Sequence, residues 1–264
     1  MQIILQDTTV QQEADQQTPA QQPTAESNDF AGYSRPNPTP HYNRLIEFYQ
    51  QMHSHGYNQM RGDTIRRKEG TESFPGKKTL EFRDAIKGIC HHYQARTLFE
   101  YGAGKAGHYS ETLVIQDNQS GESFAGLKAY WGVENVTTWE PGLDQPPPFG
   151  KHDGVLCVDV LEHCFIGDIF WIVNELFSLA NKFVFANIAC YPAQAMLPNG
   201  NNVHTLVRKP AWWQGVFDTI ASQHPDVDYL LCCAVPSAQG PRSLKWFQRE
   251  HIEPYVDEYT NFER

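Results

Sequence analysis

Four short segments of this 264-residue chain carry side chains suited to chemistry. The first is Glu100-Tyr101-Gly102-Ala103-Gly104-Lys105-Ala106-Gly107, which follows the apolar run Thr97-Leu98-Phe99. It places an acid at a strand end and a G-x-G-x-x-G turn after it. Glycine lets a backbone approach a ligand closely and adopt positive φ without a Cβ clash. A carboxylate beside such a turn accepts hydrogen bonds from ligand hydroxyls or an amine. The second is Glu140, at the end of a candidate strand Val136-Thr137-Thr138-Trp139. The third is Asp153 to His163, D-G-V-L-C-V-D-V-L-E-H, where Asp159, Glu162 and His163 follow another apolar run. An imidazole titrates near neutrality, so His163 is a candidate general base; it reads equally well as a residue that holds the turn. The fourth is Leu197-Pro198-Asn199-Gly200-Asn201-Asn202-Val203-His204, an amide-rich loop with Trp212 and Trp213 just beyond. Asn201 and His204 suit a polar substrate, and Trp212 an apolar wall. The plainer alternatives are an ordinary loop histidine and two tryptophans packing a helix into the core.

These side chains serve one site only if the strands before them share a sheet. In open α/β sheets ligands bind beyond the C-terminal strand ends, where the strand order reverses. Glu100, Glu140 and Asp159 are expected to close three such strands and to converge. Apolar periodicity predicts helices over 41–53, 79–93, 168–179 and 210–222, with another running from Gly107 to about Ile115. Residues 182–189 are nearly continuously apolar, as in a strand buried on both faces. Residues 227–234 and 243–250 read as closing strands, 56–76 as a loop or flap, and 191–209 as a long loop. Twelve residues, 141–152, separate Glu140 from Asp153, and three of them are consecutive prolines. A single crossover needs about that many, so 141–152 leaves no room for a helix, a strand and a second helix. The reading is an α/β, Rossmann-like, doubly wound and mostly parallel sheet flanked by helices and abbreviated between strands two and four. Residues 1–38, rich in Gln, Thr and Pro, read as a disordered or loosely packed tail with a possible short strand at 2–5. Residues 39–264 read as a single domain, with an N-terminal helical cap over about 39–95.

Composition narrows the classes. A formal charge of −10 argues against a duplex nucleic-acid footprint, which needs clustered Lys and Arg. Arg61, Arg66, Arg67, Lys68, Lys77 and Lys78 form a local basic stretch that reads as a solvated loop rather than a phosphate-contacting arm. Six cysteines show no C-x-x-C pair, and several sit in apolar runs, as reduced core cysteines of a cytoplasmic protein do. No run approaches the roughly 20 apolar residues of a membrane span. His91, His92, His163, Cys164, His204, Cys232 and Cys233 lack the paired spacing of structural zinc sites, so no metal is expected.

Over about Leu80 to Cys190 these segments together resemble the class I S-adenosylmethionine-dependent methyltransferases. The resemblance implies that Glu100, Gly102, Ala103, Gly104 and Gly107 hold the methionine end of S-adenosyl-L-methionine. It implies that Glu140, with Pro141, takes the ribose hydroxyls, Glu134 being a competing candidate. Asp159, Val160 and Leu161 are then expected beside the adenine and methyl group. His163 and His204 become the catalytic candidates, and Glu162, Asn201, His204 and Trp212 the contacts to a small-molecule acceptor. The missing helix–strand–helix between Glu140 and Asp153 departs from the family's pattern. Two alternatives stay open: an NAD(P)-dependent oxidoreductase on the same glycine turn, and a noncatalytic cofactor-binding or scaffold protein.

Overall fold

The computed structural model of the chain describes residues 32–147, 149–237 and 242–249. The candidate strand at 2–5 and most of the expected tail lie outside these residues. The compact unit begins at Tyr33.

Helix α1 (Pro40–His55) starts where Thr39 Oγ1 accepts the Tyr42 amide at 3.1 Å and Pro40 supplies the first helical φ; it stops at Gly56, φ +79°. A hairpin, β1 (Tyr57–Arg61) and β2 (Thr64–Lys68), follows, then α2 (Arg83–His92) and β3 (Thr97–Tyr101). After β3 come β4 (Val114–Gln116), β5 (Ser123–Ala125), α3 (Gly126–Trp131) and β6 (Asn135–Trp139). The second half contributes β7 (His152–Val158), α4 (Ile169–Leu179), β8 (Ala180–Ala189), α5 (Pro210–Ala221), β9 (Asp228–Val235) and β10 (Ser243–Gln248). No helix among the described residues is long and apolar enough to cross a membrane.

Six strands form one sheet in the order β10-β9-β8-β7-β3-β6, parallel except for β10. Successive side chains of a strand point to opposite faces, and here both faces are apolar. Val155, Cys157, Val184, Ala186, Tyr229 and Leu231 face α4 and α5. Leu156, Val158, Phe183, Phe185 and Leu230 face α2 and α3. The α4 residues Ile169, Ile172, Val173, Leu176 and Phe177 are all fully buried. The sheet ends at β6 on one side, next to the proline-rich connection.

Three local expectations are corrected. No helix follows Gly107: a single 3-10 turn, Gly107–Tyr109, gives way to the β4–β5 hairpin. The buried His108 ring is drawn to Glu100, and the β-branched Thr112, Val114 and Ile115 favour an extended chain. Part of the expected loop 56–76 is the β1–β2 hairpin, whose polar strands hid its period. Residues 33–38 are packed rather than loose. Arg35 donates to Glu175 Oε1 at 2.6 Å and to the Tyr101 hydroxyl at 2.7 Å, and its guanidinium lies 4.2 Å from the Trp139 ring centroid.

Candidate functional site

Strand β3 connects onward to β6 on one side, while β7 lies on its other side, so the strand order reverses between β3 and β7. A cavity of about 740 Å³ opens at the C-terminal ends of these strands. Glu100, Glu140 and Asp159 all line it, together with Gly102, Ala103, Gly104, Pro141, Val160, His163 and His204. The α1 residues Tyr42, Tyr49 and His53 roof it, and Tyr57 and Phe74 close one wall. Thr39 fixes that roof: its amide and hydroxyl both donate to the buried Asp168 carboxylate, at 3.0 and 2.5 Å. The hairpin bears on the loop after β8, where the Met60 amide donates to Gln194 O at 2.7 Å and the Met196 amide to Asn58 O at 3.0 Å.

The two leading glycines are required by geometry. Gly102 has φ +75°, and a Cβ there would lie 2.5 Å from Val160 Cγ2; Gly104 has φ +57°, and its Cβ would meet Phe74 O at 2.4 Å. Gly107 is different: its φ is not positive, a Cβ would make ordinary contact, and it does not line the cavity.

The acids turn out to be partly engaged. Glu100 is buried and accepts from Thr79 Oγ1 at 2.5 Å, and His108 Nε2 lies 2.7 Å from its other oxygen. It therefore braces the glycine turn rather than presenting an open carboxylate to an ammonium group. Glu140 accepts the Gly104 amide on one oxygen and the Gly142 amide on the other, each at 2.9 Å. A carboxylate has about four acceptor positions, so two remain. Glu134 sits at the opposite end of β6, exposed and paired with Arg96; it is no competitor.

After β7 the chain turns sharply. Asp159 has φ +61°, a conformation costly for a residue with a Cβ, and such strain concentrates at functional sites. The turn gathers four side chains: Asp159, Glu162, His163 and His204 offer donor atoms that all lie within 4.8 Å of one another. Glu162 is wholly buried. Its Oε1 accepts the Ala189 amide at 2.6 Å, while Oε2 has no hydrogen-bond partner. Burial, and then the adjacent Asp159 charge, push its carboxyl well above the usual range. His163 Nδ1 lies 3.1 Å from Val203 O and His204 Nδ1 lies 2.5 Å from Tyr191 O. A carbonyl only accepts, so the His204 Nδ1 carries the proton and its Nε2 presents a lone pair, while the His163 Nδ1 is held between Val203 O and a second partner. The Tyr49 hydroxyl, 2.7 Å from His163 Nδ1, braces the same ring. Desolvation brings His163 down to about 4 and also lowers His204, so both rings are neutral near pH 7.

Four further expected site residues lie off the cavity: Glu162, whose complete burial removes it from contact with an acceptor, and Leu161, Asn201 and Trp212. Leu161 points into the core beneath α4. Asn201 is exposed at the tip of its loop, where its amide donates to Asn199. Trp212 packs at the edge of the core beside Trp213, which is fully buried. The amide that shapes the loop is Asn202: its side chain accepts the Ala193 amide and donates to Ala193 O. Tyr49, His53, Tyr57 and Phe74 were missed as site residues. Tyr49 stands in the sequence only as one apolar position of a helix, and nothing local says that its hydroxyl reaches His163. No protein-family model, no curated protein and no solved structure matches this chain.

Proposed function

We propose that this protein transfers a methyl group from S-adenosylmethionine to a small polar acceptor. The observation that carries the reading is the convergence of the glycine turn after β3, the Glu140 tip of β6 and the Asp159–His163 turn after β7 on one cavity at the strand-order switch. A cavity of about 740 Å³ suits a cofactor of this size with room for an acceptor. The Gly102–Gly104 backbone would pass along the cofactor, and the two remaining acceptor positions of Glu140 would take the ribose hydroxyls. When bound, the sulfonium supplies an already activated methyl group. The protein's task is then alignment of an acceptor atom and exclusion of water, which the α1 roof and the hairpin serve.

The path of the chain after the turn separates this reading from the nicotinamide one. A dinucleotide's pyrophosphate is normally held by the aligned amides of a helix N-terminus. Here the turn leads into one 3-10 turn and a hairpin. A cofactor without phosphate has no need of that helix.

Calorimetric titration of the full chain with S-adenosylmethionine and, separately, NADH tests the proposal. Heat with the first alone supports it, and heat with NADH alone overturns it. Glu140→Ala is expected to weaken the cofactor by about 1.5–3 kcal/mol, the value of hydrogen bonds to a charged group. Unchanged affinity would remove Glu140 from the ribose site.

A further inference from the structure

The turn after β7 holds a cluster that methyl transfer as such does not explain. Asp159, Glu162, His163 and His204 contribute two carboxylates and two imidazoles, with donor atoms mutually within 4.8 Å. Four donors bound about 2.1 Å from one centre lie roughly 3.0–4.2 Å apart, so the set has to contract at its widest by about half an ångström or more to share one shell. Two independent features point the same way. Glu162 Oε2 is fully buried and has no hydrogen-bond partner. A buried acceptor without a donor is costly. The His204 imidazole is held by Nδ1 donation to Tyr191 O, the support that ligating histidines usually have, which leaves its Nε2 lone pair for a metal, and the His163 ring is held at Nδ1 by Val203 O and the Tyr49 hydroxyl.

We propose that Asp159, Glu162, His163 and His204 form a site for a divalent first-row metal ion. Two carboxylate charges balance a dication, and a mixed nitrogen and oxygen donor set suits Mn²⁺ or Zn²⁺ better than Ca²⁺, which takes six to eight oxygens. Asp159, His163 and His204 line the cavity, so water or an acceptor hydroxyl can complete the coordination shell. The sequence hides the site because its ligands come from a D-x-x-E-H turn and from a histidine 41 positions further on, His163 to His204. That spacing fits no short metal motif. The site does not depend on methyl transfer, because its probe is the metal alone.

The test uses untagged full-length protein freed of metal with a chelator. Mn²⁺ binding is followed by loss of the free ion's electron paramagnetic resonance signal, and Zn²⁺ binding by calorimetry. The expected result is one site for at least one of the two ions, weakened at least tenfold by His204→Ala and by Asp159→Asn. Glu162→Gln retains an acceptor for the Ala189 amide and is expected to weaken binding as well. Circular dichroism checks that each variant is folded. If neither ion binds the wild-type chain, the proposal fails. It fails equally if binding survives undiminished in a folded His204→Ala, Asp159→Asn double variant.

Discussion

Gly102→Ala is expected to destabilise the protein by about 2–5 kcal/mol and to abolish S-adenosylmethionine binding. Two costs add. A residue with a Cβ at φ +75° loses roughly 1–2 kcal/mol relative to glycine. The new methyl would also lie 2.5 Å from Val160 Cγ2 and 3.0 Å from Cγ1, and forcing extra carbon into a packed site costs about 1–3 kcal/mol. Rotating the β-branched Val160 does not clear both contacts. Val160→Ala removes the two methyls, so in that background Gly102→Ala should cost only the backbone part, about 1–2 kcal/mol. Urea denaturation of the four proteins of this cycle gives the coupling directly. A coupling near zero would show that the two turns do not press on each other. The Gly102→Ala, Val160→Ala pair also isolates function from folding. If it is folded and binds the cofactor as tightly as wild type, the glycine turn is not part of the cofactor site.

Arg35→Ala is the second large effect, expected at about 2–4 kcal/mol. Removing one member of a buried ion pair costs roughly 3–5 kcal/mol because the partner charge is left behind. The figure is reduced here because the Arg35 and Glu175 side chains keep 18% and 19% of their exposure. The guanidinium also donates to Tyr101 and covers the Trp139 ring, so lysine should restore little: it lacks the planar fork. Replacing both partners, Arg35→Met with Glu175→Leu, should recover most of the loss, since an apolar pair leaves no orphaned charge. A change below about 0.5 kcal/mol for Arg35→Ala, the range of ordinary surface substitutions, would mean that residues 33–38 contribute nothing to the domain. The tail would then end at residue 38, as composition suggests.

The contrast between Asp159 and Asn201 shows where local reading works. Asp159 follows a strand whose apolar character is fixed by burial on both sheet faces, and a strand end has one address in a parallel sheet. Asn201 sits in a loop, where residue type says nothing about direction, and it faces solvent. The helix expected after Gly107 failed for a related reason. Its sequence is weakly periodic, and the pull of the buried Glu100 on His108 is a contact that sequence spacing does not reveal.

What the chain dictates by itself is the central sheet, its two apolar faces, the flanking helices and the acids at three strand ends, because period and burial are local consequences of residue type. Which acids are spoken for was decided only in three dimensions. Thr79 and His108 occupy Glu100, two backbone amides occupy Glu140, and the loop after β8 brings His204 to His163. Thr79 with Glu100, Gly104 with Glu140 and His163 with His204 lie 21, 36 and 41 positions apart, and these pairings exist only once packing has closed the loops between them.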